Sequence, residues 1–152
     1  MRFVDFKIGQ VFERHLAISR GESDKYFAFS KTRNVLLENS ELAATEGIIG
    51  SFLSGRSILA RVEGEMTRLD EFSDNVMMLY GMDGDPSWGY RQTRFLAEVH
   101  PGEELLIKYI VSNKSKVDKH GYGILSMDFE ICTSSDNRLV IVSRRNLYRM
   151  KV

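Results

Sequence analysis

The chain has 152 residues, 43% of them hydrophobic and 28% charged, the balance of one globular domain with enough chain to build a core. Lysine plus arginine equals aspartate plus glutamate at 21 each, so no net field steers the molecule toward nucleic acid or an anionic membrane surface. The single cysteine, Cys132, excludes an internal disulfide, the first residues lack the apolar core of a signal peptide, and no apolar run approaches the roughly 18 residues of a membrane span, so the expected setting is the cytoplasm.

Val11 to Ile18 alternates loosely and reads as a first strand. Ser19-Arg20-Gly21-Glu22 has the capping-box pattern, in which a hydroxyl and a carboxylate each satisfy an early backbone N–H. A helix is expected from there to about Phe29, with Tyr26, Phe27 and Phe29 on its apolar face. Residues 30–39 read as a connection. Asn39 or Ser40 then caps a short helix over Glu41 to Glu46, which Gly47 breaks. From Ile48 the run IIGSFLSGRSILARVEGEM places Ile49, Phe52, Leu53, Ser54, Ile58 and Leu59 around the whole circumference of a helix. Such a helix is expected to be buried on most sides before it emerges at Arg61, Glu63 and Glu65. Gly50 and Gly55 cost helix propensity there, and close approach of another backbone is the reason expected for them.

Beyond the polar stretch Asp70 to Asp74 the period changes to two. Strands are predicted over Asn75 to Met82, Tyr90 to Val99, Leu105 to Ser115, Tyr122 to Thr133 and Leu139 to Arg149. Turns are predicted at Asp83-Gly84-Asp85-Pro86, at His100-Pro101-Gly102-Glu103 and over Ser134 to Arg138. A sheet hides a helix that is apolar all round by curling about it. The predicted class is therefore α+β, a hot-dog arrangement in a single domain over 1–152; a flatter sheet with the helix packed on one face is the alternative.

Four segments carry a family resemblance. Residues 26–43, YFAFSKTRNVLLENSELA, resemble the signature segment of the MaoC-like family: a short helix ending in F-A, then S-G-D-x-N-P-x-H-x-D and an alanine-rich turn. Ser30, Asn34, Asn39 and Ala43 are in step with it. RFLAEVHPGEEL, residues 94–105, is similar to the family's R-F-x-x-P-V-x-P-G-D-x-L. FKIGQVFERHLAIS resembles its first strand and HGYGILSMDFEI its penultimate one. The family includes (R)-specific enoyl-thioester hydratases and 3-hydroxyacyl-thioester dehydratases. The resemblance implies the hot-dog fold, dimerisation, and an acyl thioester ligand carried on CoA or on acyl carrier protein.

It also implies a chemistry. In the family an Asp and a His, five residues apart, act together on water and substrate. Hydration of an enoyl thioester needs a base for the water, an acid for the α-carbon, and N–H donors for a carbonyl that becomes enolate-like. Here the Asp position holds Thr32 and the His position Leu37, while Lys31 and Val35 replace the family's Gly and Pro. Leu37 cannot move a proton and Thr32 has no useful acidity near neutral pH. Losing one member of such a pair typically removes about 10²–10⁴-fold in rate. The resemblance maps the family's His-Gly pair, at the start of its central helix, onto Gly50 and Ser51. The N–H of Ser51 or Phe52 is then the donor to a thioester carbonyl; the plainer reading is that Gly50 and Ser51 let helices pack closely. The expected substrate-binding set is Asn34, Gly50, Ser51 and Phe52.

Other residues are read as structural. His100 and His120 sit in turns and His15 in the first strand, with no spacing that suggests a metal site. Neither a metal nor a cofactor is expected. Glu38 and Glu46 are the substitute bases to weigh, but Glu38 adjoins Leu37, and neighbours in an extended segment point to opposite faces. Lys114, Lys116, Lys119, Arg144 and Arg145 are read as solvated strand ends, with CoA phosphates as the alternative role. Trp88 is read as core or interface packing, with an acyl-tunnel wall as the alternative. The function expected is binding of an acyl thioester without standard hydratase or dehydratase activity, as a homodimer or as the non-catalytic partner of an active hot-dog subunit. A hydratase or thioesterase with substitute groups and a purely structural dimerisation protein are the alternatives.

Overall fold

The computed structural model describes the chain apart from Asn34, Ile48 and Ile49 and the side chain of Leu37. Strand β1 (Val11–Ala17) leads into helix α1 (Arg20–Ser30), the one-turn α2 (Val35–Glu38), α3 (Ser40–Thr45) and the longer α4 (Gly55–Met66). After α5 (Asp70–Ser73) come β2 (Met77–Met82), the short β3 (Thr93–Phe95), and three long strands, β4 (Glu104–Lys114), β5 (Tyr122–Thr133) and β6 (Leu139–Lys151). All pair antiparallel, in the order β1-β4-β5-β6-β2, with β3 on the same side of β6 as β2, nearer the start of β6.

The sheet curls because one face must cover α4. Alternate side chains of β4 (Leu105, Ile107, Tyr109, Val111) and β5 (Leu125, Met127, Phe129, Ile131) are buried, the period-two pattern of a strand with one face in the core. From α4 the stripe Ile58, Val62, Met66, spaced by four, meets them. Burying each of these side chains stabilises by roughly 1.5–3 kcal/mol. Tyr109 satisfies its hydroxyl inside this core by donating to the Val62 carbonyl at 2.8 Å. At one end Phe6, Phe12 and Phe72 close the core with ring centroids 4.9–6.0 Å apart. The chain thus has the hot-dog architecture, a curled antiparallel sheet around a helix.

The central helix departs from its sequence-based outline. It starts at Gly55, seven residues later than expected, because residues 51–53 are engaged elsewhere. The Leu53 N–H bonds to the Val99 carbonyl at 2.7 Å, and Ser54 is the extended N-cap whose Oγ accepts from the Ser57 N–H. Nor is α4 buried all round in the single chain: Arg56, Ala60 and Gly64 are exposed. Gly50 belongs to a turn with φ +79°, and a Cβ there would meet nothing within 4 Å, so backbone conformation and not close approach explains it. At Gly55 close approach is real, but to a ring: a Cβ would sit 2.2 Å from Phe95. The expected Tyr90 to Val99 strand shrinks to β3, since Tyr90 has φ +65° and the N–H groups of Leu96 and Ala97 both turn to the Val140 carbonyl. Phe29 is 87% exposed and does not join the apolar face of α1.

Candidate functional site

The capping box at Ser19 sets the phase of α1. Ser19 Oγ accepts from the Glu22 N–H at 3.1 Å, and the Glu22 carboxylate takes the Ser19 N–H at 2.9 Å. That N–H, with Arg61 further off, holds the Glu22 carboxyl below the usual range. The phase turns Arg20, Ser23, Asp24 and Phe27 toward one cleft of about 320 Å³. Thr32, Leu36, Glu38 and Ser40 line it from the connection and the short helices. Gly50, Ser51, Phe52 and Pro101 complete it.

Five residues weighed for the site in the sequence therefore meet: Thr32, Glu38, Gly50, Ser51 and Phe52. Gly50 and Ser51 precede α4 and do not open it, which corrects the expected placement. Among the described residues no protein group takes up the Ser51 or Phe52 N–H. Thr32 is held locally, its Oγ1 accepting from Ser30 Oγ at 3.0 Å. Asn34 lies outside the described residues. Leu37 sits in α2, with its side chain outside the description.

Glu38 corrects the argument from extended backbone. It lies on a helical turn, so alternation of faces does not apply, and it lines the cleft. Its two oxygens accept from Arg33 Nε at 3.2 Å and Nη2 at 3.3 Å. The pairing pushes the guanidinium up from its ordinary value. With the side chains 85% and 46% exposed, this is a solvated ion pair of little worth to stability. Glu46 ends α3, exposed and away from the cleft.

The histidines separate. His15 faces solvent across β1 and β4, 3.2 Å from Glu104 Oε1. His120 lies in an exposed turn shaped by Asp118. His100, expected as a plain turn residue, reaches the site instead: its Nδ1 lies 2.5 Å from the Ser51 carbonyl oxygen. Three of the five cations singled out are occupied structurally. Lys114 Nζ donates to the carbonyls of Val4 and Phe6 and sits over the Phe3 ring. Arg144 pairs with Asp85 and Arg145 with Asp83. Trp88 is half-buried beneath the guanidiniums of Arg94 and Arg144 and lines no part of the cleft. Burial pushes the Cys132 thiol up, away from reactivity.

A second cleft, about 310 Å³, lies between α4 and the β2–β3 edge. Glu63 lines it and accepts from the buried Tyr148 hydroxyl at 2.7 Å. Burial and the neighbouring Glu63 carboxylate push that phenol far up, so it stays a donor. Sequence reasoning missed this pair, which joins residues 85 apart in the chain. It also missed the contribution of α1 to the first cleft, although Arg20/Asp24 and Ser23/Phe27 at spacing four, counted from the capping box, are its signal.

No protein-family model matches the sequence, and no curated protein matches it. Solved structures do match in fold. A monoamine oxidase regulatory protein from Archaeoglobus fulgidus superposes with a TM-score of 0.80 at 16% identity, over 100% of this chain and 95% of that one. A MaoC-like dehydratase from Rhodospirillum rubrum gives 0.73 at 14% identity, over 100% and 98%. The unliganded R-hydratase PhaJ1 from Pseudomonas aeruginosa gives 0.72 at 16% identity, over 99% and 84%. The chain shares the fold of MaoC-like hydratases and dehydratases. Among the described residues no helix is long and apolar enough to cross a membrane, and no group of three or more His, Cys, Asp or Glu is placed to hold a metal ion.

Proposed function

We propose that this chain binds an acyl thioester, carried on CoA or on acyl carrier protein, in the cleft between α1 and residues 50–52, and does not perform standard enoyl-thioester hydration or dehydration there. It acts as a homodimer or as the non-catalytic partner of an active hot-dog subunit. One observation carries the reading: Thr32, which stands where the resemblance calls for the catalytic Asp, lines the same cleft as Ser51 and Phe52, whose N–H groups have no partner among the described residues, and no histidine is among the described residues of that lining. The N–H groups suit a thioester carbonyl, since donors fixed in place cost no reorganisation. Among its described residues the cleft lacks the family's Asp and His pair; the carboxylates that line it are Asp24 and Glu38.

A second reading has its own observation. Glu38 lines the cleft, so a hydratase using it as a substitute base is the alternative. Its fork to Arg33 opposes this, because both carboxylate oxygens already accept from that guanidinium and one must be released before it can bind a water.

One experiment separates them. The purified chain is mixed with crotonyl-CoA, its melting temperature recorded and the enoyl absorbance followed. The binding-only reading expects a raised melting temperature, because a ligand that binds the native state stabilises by mass action, and no loss of absorbance. Turnover that disappears in Glu38→Gln establishes the second reading. Release of free thiol instead marks a thioesterase. No thermal shift with crotonyl-CoA, longer acyl-CoAs or acylated carrier protein leaves a structural dimerisation protein and ends both.

A further inference from the structure

We infer that His100 is a positioning residue: its ring N–H holds the Ser51 carbonyl and thereby sets the direction of the N–H groups that receive the ligand. The inference rests on the cleft being the acyl-thioester site.

A carbonyl oxygen only accepts, so the 2.5 Å contact requires the proton on Nδ1 of His100. Neutral imidazole with Nδ1–H and imidazolium both supply that donor. The bonded carbonyl belongs to the peptide unit whose N–H is that of Phe52. Because the peptide unit is planar, fixing its C=O fixes the N–H on the opposite side. His100 therefore acts directly on one of the two candidate donors.

The turn that carries His100 is itself anchored to both sides of the cleft. The Val99 carbonyl accepts from the Leu53 N–H at 2.7 Å, with the Val99 side chain fully buried. The Gly102 N–H donates to the Ile18 carbonyl at 2.9 Å, one residue before the Ser19 cap of α1. Glu103 N–H to the His100 carbonyl, 3.1 Å, closes the turn, and Gly102 supplies its φ of +82°. Pro101, between the anchors, lines the cleft. One four-residue turn thus ties the segment 51–53 to the start of α1. The side-chain bond of His100 is the only tie among the described residues that reaches the Ser51–Phe52 peptide.

Two amide variants test this on the full chain. In His100→Asn the side-chain N–H lies close to where Nδ1 is; in His100→Gln it lies nearer the position of Nε2. Both keep a polar amide, so a general loss of polarity or packing affects them alike. Amide hydrogen exchange of the peptide spanning residues 50–54 is measured in each without ligand, and the dissociation constant for crotonyl-CoA alongside. The expectation is wild-type exchange and affinity within about threefold for Asn, but about tenfold faster exchange and about tenfold weaker binding for Gln, the size of one lost hydrogen bond. Equal behaviour of the two variants, changed or unchanged, overturns the assignment. If the wild-type chain binds neither crotonyl-CoA nor longer acyl-CoAs nor acylated carrier protein, the thioester reading falls by itself, and the exchange comparison alone decides whether His100 sets this peptide.

Discussion

Two glycines, neither of which leaves a Cβ anything to strike, respond in opposite directions to the same added methyl. Gly50 has φ +79°, a region that costs an L-residue roughly 1–2 kcal/mol. Gly64 lies within α4, exposed, with nothing within 4 Å of a built Cβ. There alanine removes conformational freedom from the unfolded chain and fits the helix, a gain of up to about 1 kcal/mol. Urea denaturation should place Gly50→Ala below the wild type and Gly64→Ala above it, with unchanged slopes. Equal stabilities for Gly50→Ala and the wild type would remove the backbone argument for Gly50. At this scale the sequence was only partly legible. Gly50 stands out as a glycine in an apolar run, but whether it serves packing or conformation depends on where the helix begins. That start is decided by the bond from Leu53 to Val99, 46 positions along the chain.

Elements closed by their own neighbours were readable, and those closed at a distance were not. Ser19 and Asn39 announce α1 and α3 through side chains that bond two or three residues on. The three long strands follow from period-two burial against one core, strict in β4 and interrupted in β5 and β6. Residue Glu38 was misjudged because a single helical turn leaves no periodicity to read. Strand β2 raises a different matter. It pairs with β6 on one side only, and Met78, Leu79, Tyr80 and Met82 are each 48–63% exposed, with Phe95 and Leu96 beside them on the same edge. The opposite edge, β1, shows solvent Glu13, Arg14 and His15, charges that discourage strand addition. An open apolar edge fits a two-fold contact in which the same strand meets itself. Light scattering should give twice the 17.4 kDa chain mass for the wild type and for Val11→Lys on the β1 edge, and the single mass for Leu79→Lys. A monomeric wild type refutes self-pairing through this edge, and a dimeric Leu79→Lys refutes the edge as the interface.

For the molecule as a whole, equal numbers of acids and bases leave little net charge near neutrality, so local pairing governs how stability depends on pH. Several carboxyls sit below their usual range. Asp85 is held there chiefly by the Ser87 hydroxyl and then by Arg144, Asp118 by the Tyr122 N–H and then by Arg149, and Asp136 by the Thr133 hydroxyl. Glu22 joins them through the Ser19 N–H. A carboxyl lowered in the folded state takes up its proton at higher pH when the chain is unfolded. Its contribution is therefore complete above the unfolded value of about 4 and drains away as pH falls through the folded value. Asp118, Asp136 and Glu22 are exposed and Asp85 only partly buried, so each share is small and the sum, not any one pair, matters. The melting temperature should be flat from pH 7 to about 5 and fall steadily toward pH 3. Acid also builds net positive charge, which by itself lowers stability. Asp118→Asn and Asp85→Asn distinguish the two causes: if pairing matters, each variant melts below the wild type at pH 7 and converges on it by pH 3. Curves that run parallel down to pH 3 would assign the acid loss to charge repulsion and remove these carboxylates from the account.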